Sequence, residues 1–251
     1  MSKTAAVCFS GEMRDLEETY ENLKNCLFIP LDESGYSIQV YIHAWGTNEL
    51  IKSAVGRVSG CPNLDVAMSM VYPDSFASNL YHPHKAVFED YFDSPPYKAR
   101  PPVDGENSGP SRQYSQMYKI EKCFGLVENA ELVIRSRTDL FFDSPLNFSQ
   151  IDPNTVYIPS TIDQDSFSGK GWSVDDDYCI DFFAYGDMES MRSYSCGYSE
   201  IDNLCENKNF PYTFEKFLKR YLDYKGCNIQ KLSQNVAMTK NHRRRNYRWS
   251  D

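Results

Sequence analysis

Thr4-Ala5-Ala6-Val7-Cys8-Phe9-Ser10-Gly11 is an apolar run that ends in a turn pair, and the helix and strand after it set the class of topology. Leu16, Tyr20, Leu23 and Leu27 recur at steps of four, three and four, which is one face of a helix. Residues 37–45, Ser-Ile-Gln-Val-Tyr-Ile-His-Ala-Trp, then read as a second strand. Strand, tight turn, helix and strand make a βαβ unit, so the chain is expected to be an α/β protein. Such sheets take ligands at the carboxyl ends of their strands, where Ser10, Gly11, His43 and Trp45 all fall.

Further along, residues 46–110 are mixed, with a short possible strand at 66–71 and a Pro- and Gly-rich stretch at 93–110 that reads as a surface loop. Met117, Ile120, Phe124 and Val127 then mark a helix leading into 131–143, Glu-Leu-Val-Ile-Arg-Ser-Arg-Thr-Asp-Leu-Phe-Phe-Asp. Here an apolar strand becomes one carrying Arg135, Arg137 and Asp139 at alternate positions, which in a strand lie on one face. Two guanidiniums and a carboxylate over roughly 13 Å are costly to bury unless they face one another or a ligand. The alternatives are a polar site and a structural ion cluster at a strand end.

Downstream, a strand is expected at 155–158, a flexible segment with Gly169 and Gly171 at 164–173, and a run of aspartates at Asp175, Asp176 and Asp177. Residues 178–185 read as a buried strand with one carboxylate, Asp181, and end at Gly186 before a helix carrying Met188 and Met191. Phe214, Phe217, Leu218, Tyr221 and Leu222 mark an amphipathic helix before a last strand at 227–232. The reading is one domain over 1–240 and a basic tail over 241–251.

A chain of 251 residues, 41% of them hydrophobic, is long enough to bury a sizeable core. A net charge of −9 argues against nucleic acid as a partner, because neutralising phosphates takes a basic face. No run approaches the roughly 20 apolar residues of a membrane span, and Ala5–Phe9 is too short for a signal peptide, so a cytoplasmic protein is expected. Eight cysteines without a Cys-x-x-Cys pair read as thiols rather than as a metal site.

Ser10-Gly11-x-x-Arg14, Ile42-His43-Ala44-Trp45, Ser115-Gln116, the Val-Ile-Arg-Ser-Arg-Thr-Asp run at 133–139, Asp181-Phe-Phe-Ala-Tyr-Gly186 with Met191, and Glu215 ahead of an apolar helix together resemble a family of glycosyltransferases. Its members, of the WavE-like type, come from bacteria and large DNA viruses and act in lipopolysaccharide and surface-glycan synthesis. The resemblance spans most of the chain apart from 46–110. It implies a GT-A-like fold, that is, a Rossmann-type α/β/α sandwich with a central mixed sheet. It also implies a nucleotide-sugar donor and a glycan or glycolipid acceptor as partners. Most such enzymes hold Mn²⁺ or Mg²⁺ through an Asp-x-Asp motif. Here the equivalent positions read Arg137-Thr138-Asp139, which leaves Asp139 as the single protein ligand to a metal, or leaves Arg14, Arg135 or Arg137 to offset the diphosphate charge.

On this reading Ser10, Gly11, Arg14, His43, Trp45, Arg135, Arg137 and Asp139 bind the donor. The first turn can receive an anion and the indole can stack on a ring. The competing readings are a helix cap, a packed aromatic and a satisfied histidine. Asp181, between Ile180 and Phe182, is the candidate catalytic residue, since partial burial raises a carboxyl's pKa and makes it a better base. Glu215 reads as a helix-capping charge. The tail, Arg243-Arg244-Arg245 to Arg248, reads as a mobile terminus, as a segment that folds over the donor diphosphate, or as a peripheral membrane contact. Two other functions remain open: a silent nucleotide- or glycan-binding module, and a nucleotidyltransferase, for which Ser-Gly-Glu-Met-Arg is a poor phosphate loop.

Overall fold

The computed structural model describes residues 3–46, 74–90, 109–159, 178–211 and 213–238. Strands β1 (Lys3–Gly11), β2 (Tyr36–Trp45), β3 (Lys85–Glu89), β4 (Leu132–Ser136), β6 (Thr155–Pro159), β7 (Phe183–Gly186) and β8 (Asn228–Leu232) form a seven-stranded sheet in the order β3-β2-β1-β4-β7-β6-β8. Strand β7 runs antiparallel to both its neighbours and every other pairing in the sheet is parallel, so the sheet is mixed. Strands β5 (Leu140–Phe142) and β9 (Val236–Met238) pair as a separate antiparallel ribbon.

Alternation along the strands supplies one core to each face of the sheet. Ala5, Val7 and Phe9 of β1, with Ile42 and Ala44 of β2, pack against helices α1 (Leu16–Leu23), α2 (Ile29–Glu33) and α3 (Asp74–Tyr81). Ala6, Cys8, Tyr41, Val133 and Ala184 face the other way, toward α4 (Gly109–Phe124), α5 (Met188–Ser195), α6 (Ile201–Lys208) and α7 (Phe214–Lys225). The result is the α/β/α sandwich around a mixed sheet that the sequence leads one to expect. Because β1 is covered on both faces, its run from Ala5 to Ser10 is buried without a break. Between α1 and α2 the residues Lys24–Phe28 widen into a π-helical turn just ahead of Pro30, which has no N–H to continue the regular ladder. Cys8, Cys26, Cys123, Cys179 and Cys227 are buried thiols.

Several boundaries differ from the sequence reading. The 131–143 segment is not one strand: β4 ends at Ser136, and Arg137 begins a crossing to the ribbon. Arg137 N–H donates to Phe182 O at 3.0 Å, and Thr138 is drawn toward α1, so Asp139 does not share a strand face with Arg135. Residues 178–182 are a lead-in rather than strand, and β7 starts at Phe183. Cys227 belongs to the end of α7, where its N–H reaches back to Leu222 O and Gly226, at φ 74°, takes the left-handed turn. The loop reading of 93–110 is shortened by α4, which already begins at Gly109. Its remaining part, the 66–71 strand, the 164–173 segment, the Asp175–Asp177 run and the tail lie outside the described residues. No helix among the described residues is long and apolar enough to cross a membrane.

The seam between β4, β7 and β6 is closed tightly at Gly186. A Cβ there would lie 2.6 Å from Thr155 O and 3.2 Å from Ser190 Cβ, with the nearer neighbour being strand backbone. Gly186→Ala is therefore expected to cost about 2 kcal/mol of overpacking, lowering Tm by roughly 4–8 °C in calorimetry. An unchanged Tm would show that β6 moves aside freely.

Candidate functional site

Register brings the sequence-predicted residues to one edge. Ser10 pairs with His43 and Gly11 with Ala44 across β1 and β2, while Phe9 lies opposite Ser136 of β4, and Ser136 opposite Phe183 of β7. Because β7 is reversed, its beginning, not its end, lies at this edge, and Asp181 comes with it. Gly11 closes β1 at φ 105°, a conformation that a side chain would strain.

Behind this edge the β1–α1 turn is stitched to the segment after β4. Arg14 N–H donates to Thr138 Oγ1 at 3.0 Å, and the same hydroxyl donates to Arg14 O at 2.9 Å. Thr19 Oγ1 lies 2.5 Å from Thr138 O. Arg14 itself is paired with Glu12. Asp139, 3% exposed, accepts from Arg137 Nε at 2.7 Å and Nη2 at 2.5 Å, a two-pronged pair. Burial pushes the Asp139 carboxyl up, but the Arg137 charge and its hydrogen bonds outweigh that and hold it below the usual carboxylate range. Burial likewise acts to lower Arg137, and the attraction to Asp139 raises it beyond an ordinary guanidinium.

Arg135 is different. It is 2% exposed, its Nη1 donates to Phe182 O at 2.8 Å, and its Nε finds no partner among the described residues. Burial lowers its pKa, and the nearby Tyr194 and Asp181 only partly offset this. Arg14 and Arg137 each hold a carboxylate, whereas Arg135 holds a carbonyl. Asp181, the opposite charge near it, offsets only part of what burial costs this guanidinium, and a bound anion would offset more.

Asp181 is 6% exposed, and its backbone is pinned on both sides: Tyr194 Oη donates to Ile180 O at 3.1 Å, and Phe182 O takes both Arg135 and Arg137. Burial holds its carboxyl above the usual range, although Arg135 and Arg137 pull it back down. Glu215, in the first turn of α7, is half-buried, and its backbone carbonyl accepts from Cys179 N–H at 3.1 Å. Burial and then the charge of Asp181 raise its pKa. The sequence reading treated Glu215 as a cap; proximity to Asp181 is visible only once β7 is seen to run backward.

Across β2 the edge carries a second polar group that the sequence reading missed. Lys119 of α4 is fully buried, donating to Ala44 O at 3.0 Å and to Glu89 at 2.9 Å. Its ammonium also lies 3.6 Å from the centre of the Trp45 ring, and Tyr118 stacks near that ring at 6.2 Å and 13°. Trp45 is only 6% exposed, so its indole is largely covered by its own protein. His43 is pushed down to about 4 by burial and by Lys119, which keeps it neutral at pH 7, and its Nδ1 has no partner among the described residues. Ser10 Oγ, also buried, has none there either. The helical spacing of Lys119 from Cys123, whose Sγ lies 3.3 Å from Phe9 O, is the one sequence signal that could have placed this lysine against the sheet.

Among the described residues no group of three His, Cys, Asp or Glu side chains is arranged to hold a metal ion. Asp139, the one candidate ligand, has both oxygens engaged by Arg137, so the described residues do not fit Mn²⁺ or Mg²⁺.

No family model matches the chain, and no curated protein matches it. Among solved structures, the apo crystal structure of mouse xyloside xylosyltransferase 1 is similar to it, with a TM-score of 0.39 and 12% identity over 92% of this chain and 85% of that one.

Proposed function

We propose that the chain is a glycosyltransferase that moves a sugar from a nucleoside-diphosphate donor to a hydroxyl of a glycan or glycolipid. The observation that carries this reading is Arg135: a guanidinium 2% exposed, bonded to a carbonyl rather than a carboxylate, at the ligand edge of the parallel strands and close enough to Asp181 for the two charges to interact. Such a site suits a reaction that releases an anion and accepts a proton. The bond from the anomeric carbon to the diphosphate oxygen breaks, and the electron pair leaves with the diphosphate beside Arg135. The acceptor oxygen bonds to the anomeric carbon, and its proton passes to Asp181. Arg135 opposes the developing negative charge where water is largely excluded, which makes a fixed donor effective. The raised carboxyl of Asp181 brings its basicity toward that of a useful proton acceptor near neutral pH. Surface-glycan acceptors of the WavE-like type belong to this proposal through the motif resemblance.

The test is a thermal-shift screen with UDP, GDP, CDP and dTDP, followed by transfer assays with the matching sugar nucleotides. A diphosphate present at 100 times its dissociation constant is expected to add about 2.7 kcal/mol of stability. Arg135→Met is expected to abolish that shift, read against the variant's own unliganded Tm, because the guanidinium that would meet the diphosphate is gone. A shift undiminished in Arg135→Met would remove the observation on which the reading rests. Binding without transfer would favour the silent binding module.

A further inference from the structure

Resting on that reading, we infer that the donor diphosphate is met by Arg137 and Arg135 without a divalent cation, and that Asp139 is a positioning residue for Arg137 rather than a metal ligand.

The geometry of the pair supports this. Arg137 gives Asp139 the side of its fork carrying Nε and Nη2, at 2.7 and 2.5 Å, which by the covalent shape of a guanidinium leaves Nη1 directed away from the carboxylate. The Arg137 side chain keeps 24% exposure, whereas Asp139 keeps 5%. The arginine therefore offers donors outward and the aspartate is closed behind it. The backbone at this point is equally fixed. Arg137 N–H is bonded to Phe182 O, Ser136 Oγ donates to Arg137 O at 2.8 Å, and Thr138 is locked to Arg14 in both directions. A guanidinium held in this way loses little freedom when it grips a phosphate, and its planar fork suits phosphate oxygens.

A metal at the same carboxylate would have to displace Arg137 or sit beside its charge. Displacement would leave two cations, the ion and Arg137, competing for one buried carboxylate. The division of labour is that Arg135, whose burial Asp181 offsets only in part, supplies charge, and Arg137 supplies oriented donors.

The experiment measures the affinity of UDP, GDP, CDP and dTDP, and of the parent nucleosides, by calorimetry in EDTA and in Mn²⁺. It uses the wild type, Asp139→Asn, and the double variant Arg137→Met with Asp139→Leu. The double variant replaces the pair by apolar groups of similar shape and is expected to keep the fold, where a single replacement could leave a buried charge. The expected result is equal diphosphate affinity in EDTA and Mn²⁺, a loss of at least about 10-fold in Asp139→Asn, and a larger loss in the double variant. Nucleoside affinity is expected to be unchanged throughout. Diphosphate binding that requires Mn²⁺, with bound Mn²⁺ seen by electron paramagnetic resonance and lost in Asp139→Asn, would overturn the inference and leave the transferase reading standing. Metal-independent binding that the double variant retains would also overturn it. Failure of every diphosphate to bind, with or without Mn²⁺, would overturn both.

Discussion

Asp181→Asn is expected to reduce sugar transfer by about 10²–10⁴-fold, the usual contribution of a positioned acid or base, while making the protein more stable at neutral pH. Both effects follow from one carboxyl, which is buried and held above its usual pKa. A carboxyl whose pKa is higher in the folded than in the unfolded chain binds its proton more tightly when folded. Its destabilising effect is therefore full above the folded pKa and vanishes below the unfolded one. Replacement by Asn, which has nothing to ionise, should raise Tm most at pH 8 and progressively less as the pH falls. Calorimetry at pH 5 and pH 8, alongside initial transfer rates, would read both quantities. Transfer within a few-fold of the wild type would exclude Asp181 as the proton acceptor. In the wild type, transfer should decline as the pH falls through the raised pKa, because the base becomes protonated.

Glu89→Gln is expected to lower stability by about 2–3 kcal/mol at pH 7, or roughly 5–10 °C in Tm. Lys119 is fully buried, and burial brings its ammonium down to about 8 even with the Glu89 carboxylate beside it. Without that carboxylate the pKa of the lysine falls further, which favours loss of its proton. Discharging a group whose pKa is about 8 costs about 1.4 kcal/mol there, which caps the electrostatic part of the loss. The charge-assisted bond from Tyr118 Oη to Glu89, 2.9 Å long, is weakened as well. The sign of the pH dependence is fixed by the depressed pKa. Between the folded value and the usual 10.5 the unfolded chain holds more protons, so stability rises with pH. In the wild type that rise begins near pH 8; in Glu89→Gln it should begin lower, so that much of the deficit at pH 7 is recovered by pH 9. Denaturant titrations at pH 6, 7.5 and 9 would show it. A difference of less than about 0.5 kcal/mol at every pH would mean that the pair does not brace α4 on the sheet.

The opening of the chain was legible because its burial is simple. Strand β1 is covered on both faces, so its apolar run is continuous, and Leu16, Leu23 and Leu27 are all buried while Tyr20 packs against the same core. The class of fold and the edge carrying Ser10, Gly11, His43 and Trp45 follow from that much. Strand β3 was not legible, since it lies half-exposed at the border of the sheet and shows no clean alternation. The direction of β7 could not be read either, because an antiparallel pairing is set by the partner strand rather than by the residues of the strand itself. The Arg-x-Arg-x-Asp spacing places all three residues on one strand face, and the structure amends that argument. The strand stops at Ser136, and Arg137 meets Asp139 because the chain has left the sheet. Lys119 was hidden by its charge, which pattern reading assigns to solvent.

The reversed strand also bears on how the molecule comes together. The parallel set β3-β2-β1-β4 is drawn from residues 3–136, and β7, β6 and β8 come from 155–232, so β7 is the joint between an early and a late portion of the chain. Arg135 and Phe182, which touch across that joint, are 47 residues apart. Closing so distant a contact is slow relative to forming the local βαβ unit. Arg135 belongs to the early portion and Asp181 with Glu215 to the late one, so the proposed site draws on both halves. The proposed site would therefore be assembled only in the step that completes the sheet.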